Sequence, residues 1–85
     1  MSRTAFLLMA QYEKPLIPLE SAAADFLGIS ARLAKERAAA GTLPFPTMRL
    51  ADSQKAPRLV HVDDLAKWID ETREDARKQW ERSQV

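Results

Sequence analysis

Eighty-five residues hold one domain, read here as 1–85, because so short a chain buries only a little over about 60% of its unfolded surface and cannot divide that between two cores. There is no cysteine, which excludes disulfides and thiolate metal sites, leaves stability to packing, and fits a cytoplasmic protein. A net charge of +1 is too small to announce a polyanionic partner, although residues 1–62 carry eight Lys/Arg against five acids and residues 63–85 five against seven.

The opening Met1 to Ala10 starts like a leader peptide, but its apolar run breaks at Gln11, Glu13 and Lys14 without a small-residue cleavage site. No stretch is long enough to span a membrane. Residues 5–12 are apolar, short and stopped by Glu13-Lys14-Pro15, and this predicts a strand or extended arm. Pro18 suits a helix entrance, since its missing N–H is not needed there. Leu19, Ala23, Phe26 and Leu27 then share one helical face, and Gly28 closes that helix. Ser30 is an N-cap for a second helix to about Ala40, with Gly41 as its stop. Two helices joined by about three residues containing a glycine have helix-turn-helix spacing.

The prolines of Thr42-Leu43-Pro44-Phe45-Pro46 force an extended crossing. The β-prone segments 47–50 and 58–62 flank polar Asp52-Ser53-Gln54-Lys55, which predicts a hairpin. Asp63 is the expected N-cap of the last helix, on which Leu65, Trp68, Ile69, Thr72, Ala76 and Trp80 form an amphipathic stripe. Leu65, Trp68 and Ile69 suffice to close a small core. Residues 70–85 therefore read as a helical extension, with Thr72, Ala76 and Trp80 as a self-association stripe for a homodimer or a cooperative multimer. Trp80 folding back on its own domain is the alternative.

This order of elements predicts an α+β, mainly α fold: a winged helix-turn-helix with a short N-terminal strand, a β-hairpin wing and a long C-terminal helix. A helix about 10–12 Å across fits the major groove of double-stranded DNA. Arg32 can fork onto guanine O6/N7, Lys35 suits phosphate, and Glu36 can accept from cytosine N4. On the hairpin, Arg49, Ser53, Gln54, Lys55 and Arg58 are candidates for the backbone or minor groove. The bland readings are a solvated helix face for the first set and cross-strand pairing with Asp52 for the two arginines. The lone His61 has no ligand-spaced companions, and no nucleophile–base set or phosphate loop stands out. No catalytic residue, metal or cofactor is assigned, and the protein is not read as an enzyme.

Leu27-Gly28-Ile29-Ser30, Gly41, Leu43-Pro44, Arg49-Leu50, Asp64-Leu65 and Trp68-Ile69 resemble the excisionase and AlpA-type winged-helix proteins, an excisionase/MerR-like fold. Phe6-Leu7-Leu8-Met9-Ala10-Gln11-Tyr12, Ile17-Pro18-Leu19-Glu20, Leu43-Pro44-Phe45-Pro46 and above all Arg49 to Pro57 running into Leu59-Val60-His61-Val62 are more specifically similar to the pyocin activator family (PrtN). That resemblance implies a positive regulator that binds repeated promoter boxes upstream of phage-tail-like bacteriocin genes and raises their transcription after DNA damage. RNA polymerase is then a further partner. Ala31 to Glu36 lacks the Thr and aromatic residues common in excisionase-type recognition helices. Two other readings are an excisionase-like protein that bends DNA and a module that binds protein only.

Overall fold

The computed structural model describes residues 2–53 and 55–84. The fold is α+β and mainly helical, with four helices and a two-stranded antiparallel sheet among the described residues.

Helix α1 spans Arg3–Tyr12, where an extended arm was expected. Its residues are mostly strong helix formers, and the Ser2 hydroxyl caps it by accepting from the Ala5 N–H at 3.0 Å. Ala5 and Leu8 are buried, with Met9 and Tyr12 packed beside them. This i, i+3, i+4, i+7 spacing gives one apolar stripe, while Phe6 and Leu7 stay exposed. Glu13 ends the helix in the left-handed region at φ 60°.

The strand lies farther on: β1 (Leu16–Pro18) pairs antiparallel with β2 (Leu59–His61), setting Ile17 opposite Val60. Both residues are fully buried. The pairing continues past the strand ends, where Val62 N–H donates to the Pro15 carbonyl and Leu19 N–H to the Arg58 carbonyl, each at 2.9 Å. Leu59 turns its own N–H and carbonyl to the other side, exchanging bonds of 2.8 and 2.9 Å with Met48. Pro18, opposite Leu59, therefore faces a residue committed elsewhere, and its lack of an N–H costs nothing.

The predicted hairpin between 47–50 and 58–62 forms only this one Met48–Leu59 rung. The register explains it. The next bonded pairs would be Leu50 with Pro57 and Pro46 with His61, and in each the proline has no donor.

Helix α2 starts after Pro18, covers Leu19–Ala22 and continues as a π-helical turn through Ala23–Leu27. Gly28 closes it at φ 66°. Helix α3 spans Ala31–Ala40; the Ser30 hydroxyl accepts from the Leu33 N–H at 3.1 Å, and Gly41 at φ 70° ends it. Buried Ala22, Ala23 and Ala34 give α2 and α3 small facing surfaces and a close approach.

Helix α4, Val62–Ser83, begins two residues before its expected start. His61, rather than Asp63, is its cap: Nδ1 accepts from the Asp63 N–H at 3.0 Å. Asp63 and Asp64 occupy the first turn, where carboxylates favour the helix dipole. Val62, Leu65 and Ala66 are buried, and Trp68 and Ile69 pack against them. Trp68 meets buried Phe45 edge-on at 5.4 Å between ring centres. Thr4 in α1 donates to Asp70 at 2.6 Å, whereas the residue opposite Val62 is Pro15. Helix α1 therefore runs antiparallel to α4.

Tyr12 donates to the Asp25 carboxylate, joining α1 to the π-helical turn. Burial, followed by that hydrogen bond and the Asp25 charge, pushes its phenol up to about 12 from the usual 10. The folded chain therefore keeps a proton that the unfolded chain loses. Its contribution to stability is complete below pH 10 and disappears as the pH rises through 12.

Two measurements check this arrangement. Leu8→Ala should cost about 2–5 kcal/mol in denaturant unfolding, while Leu7→Glu should stay within about 0.5 kcal/mol; equal costs would contradict the helix. Tyr12 is the only tyrosine, so ultraviolet titration of the phenolate should show a midpoint near 12, and an ordinary midpoint would remove the Asp25 link.

Candidate nucleic-acid interface

Two parts of the chain build the site. Helix α3 turns Ala34 into the core, which directs Arg32, Lys35, Glu36 and Ala39 outward on the opposite side. The second part is the segment from Thr47 to Arg58, fixed at its base by the Met48–Leu59 rung and the bond from Leu19 to the Arg58 carbonyl. Arg58 also donates from Nη1 to Thr47 Oγ1 at 3.3 Å, tying the two limbs together. At the tip, Ser53 Oγ accepts from the Lys55 N–H at 3.1 Å and its carbonyl from the Ala56 N–H at 3.0 Å. That local turn, of the kind Ser favours, reverses the chain.

Between these parts lies a groove of about 370 Å³ lined by Lys35 and Ala39 from α3, Arg49, Lys55 and Arg58 from the segment, and Glu20 from the first turn of α2. Four cations thus face one carboxylate. Among the described residues none of the four makes an ion pair, the pairs being Arg32–Glu36, Arg77–Glu81 and His61–Asp63. Arg49 does not pair with Asp52. A second hollow of about 450 Å³, lined by Ala38, Leu43, Phe45, Thr47 and Arg58 among others, adjoins this groove at Arg58.

Of the residues singled out from the sequence, Lys35, Arg49, Lys55 and Arg58 come together. Arg32 and Glu36 lie on the same outward side of α3 but off the groove wall, bound to each other at 3.3 Å. Ser53 shapes the tip without lining the groove, and Gln54 lies outside the described residues. Thr72, Ala76 and Trp80 are far along α4 and exposed. Glu20 was not foreseen. Its signal was its position just inside a helix start, where an acid complements the dipole, and that says nothing of the groove it enters. Among the described residues no group of three or more His, Asp or Glu side chains is placed to hold a metal. No described helix is long and apolar enough to cross a membrane.

The fold thus defines a small, mainly helical protein with four cations along one groove, none of them in an ion pair among the described residues. The particular family follows from comparison: residues 4–76 match the pyocin activator protein PrtN model, and the chain belongs to that family, a family of regulators. No curated protein and no solved structure matches the chain.

Arg58→Ala removes the tie to Thr47 while leaving the backbone ladder of Ile17 and Val60. Amide exchange at Met48 should therefore accelerate about tenfold or more, the effect of losing about 1.4 kcal/mol of local protection, while Val60 keeps its rate. Equal acceleration at both would mean that Arg58 supports the whole sheet.

Proposed function

We propose that this chain is a winged helix-turn-helix protein that binds double-stranded DNA at repeated promoter boxes and activates transcription of pyocin-type, phage-tail-like genes. The observation that carries this reading is the convergence of Lys35 on α3 with Arg49, Lys55 and Arg58 on the neighbouring segment around one groove. Membership of the pyocin activator family supports the regulatory role.

In this reading α2, the Gly28 turn and α3 are the helix-turn-helix, and α3 enters the major groove with Arg32, Lys35 and Glu36 outward. The segment 47–58 is the wing. It lies on the backbone or the minor groove, where Arg49, Lys55, Arg58 and the polar tip at Ser53 supply affinity and shape preference rather than base identity. Arg32 must leave Glu36 to reach a guanine. That pair is exposed on both sides, and an exposed i, i+4 pair is worth only about 0.3–0.5 kcal/mol, far less than the about 1–3 kcal/mol of a bidentate base contact. Bound near a promoter, the protein would act by proximity, presenting a DNA-distal face to RNA polymerase.

Anisotropy titrations with labelled duplexes over a range of salt test the reading. Four phosphate contacts give a slope of log K on log salt of about −4, and Lys55→Ala should flatten it by about 1 on every sequence. Glu20→Gln should tighten all duplexes alike, by removing the one carboxylate on the groove. Arg32→Ala should cost about 1–3 kcal/mol on the cognate box and relax preference at one base. Equal loss on cognate and random DNA would refute base reading by Arg32, and no retention of any duplex at low ionic strength would refute the proposal.

A further inference from the structure

Beyond Ile69, helix α4 leaves the body. From Asp70 to Gln84 every residue is exposed, and the molecule is 52 Å long against 27 and 17 Å in its other directions. Helix α1 covers α4 only as far as the Thr4–Asp70 bond. The remaining turns, about 20 Å of helix, hold Trp80 in solvent at 62% exposure. We infer that this extension pairs antiparallel with the same helix of a second copy, the two crossing at Ala76.

Side-chain size along the stripe is arranged about Ala76. Thr72 and Trp80 lie equally far on either side of Ala76 along one stripe. A twofold axis at Ala76 therefore places each Trp80 against the partner's Thr72, a large side chain over a small one, and puts alanine where the backbones approach most closely. Charge also divides at Ala76. Residues 70–75 carry Asp70, Glu71, Glu74 and Asp75 against Arg73, whereas residues 77–82 carry Arg77, Lys78 and Arg82 against Glu81. Arg77 is engaged with Glu81 at 3.1 Å, leaving Lys78 and Arg82 for a partner. Antiparallel pairing brings each acidic half alongside the other copy's basic half, while parallel pairing would set like against like. A stripe that contacts its own copy is isologous and stops at two chains. The inference uses no part of the groove between α3 and the 47–58 segment, and it stands or falls apart from DNA binding.

The absence of cysteine makes a direct test available on the full chain. Under mild oxidation Ala76→Cys should give a disulfide-linked pair on non-reducing electrophoresis. Ser83→Cys should not, because antiparallel crossing at Ala76 separates the two 83 positions by about 21 Å, beyond the about 7 Å limit for a disulfide. Trp80→Asp should sediment as one chain where the natural sequence sediments as two, with unchanged far-ultraviolet circular dichroism. Crosslinking through Ser83→Cys, crosslinking through neither, or growth into open assemblies through exposed Phe6 and Leu7 would each overturn the proposal.

Discussion

Five residues, Arg58 to Val62, hold the parts of this molecule in register. One side of the segment bonds to residues 15–19 and the other to Met48, and its end becomes the cap and first turn of α4. Its two inward residues, Val60 and Val62, are fully buried among Ile17, Leu19 and Leu65. A one-residue slip would turn Val60 to solvent and His61 inward, exchanging an apolar contact for a buried imidazole. The same slip would move the Arg58 carbonyl away from Leu19 and so unseat the start of α2. The position of α3 against the 47–58 segment therefore rests on this pairing more than on any contact between the two.

The consequence is electrostatic. A net charge of +1 hides a local concentration in which four cations from two separate parts of the chain line one groove. The ion pairs that neutralise arginines elsewhere lie off that groove, at Glu36 and Glu81. Focusing charge this way gives a small protein a locally cationic surface without the self-repulsion of a high overall charge. Acids and bases on α4 instead alternate by blocks along an exposed rod, a pattern suited to contact with another helix.

Much of the helical part was legible because its punctuation is local. Pro18, Gly28 and Gly41 act through their own backbone and Ser30 through its hydroxyl on Leu33 three residues on, and each stands where the sequence placed it. The errors fall where distant partners decide. Residues 5–12 look like a strand in isolation because their apolar run is short. Paired with α4, which they meet only after some sixty intervening residues, they are a helix with one buried stripe. Leu59–His61 lies within the β-prone segment 58–62, but its partner Leu16–Pro18 stands about forty residues away and is too short to show alternation. The hairpin was overextended because Pro46 and Pro57 act on a register that only the folded ladder reveals. Within the candidate site, the cations could be named from their places on the predicted second helix and hairpin, but Glu20 enters through the fold alone.

Backbone amide shifts in a heteronuclear NMR titration with a short duplex at low ionic strength report on the groove residue by residue. Binding of DNA in the groove should give large changes at Lys35, Ala39, Arg49, Lys55 and Ala56, and small ones along α1 and at Thr72 and Ala76. Changes centred on α1 or on the α4 extension, with the groove silent, would contradict it.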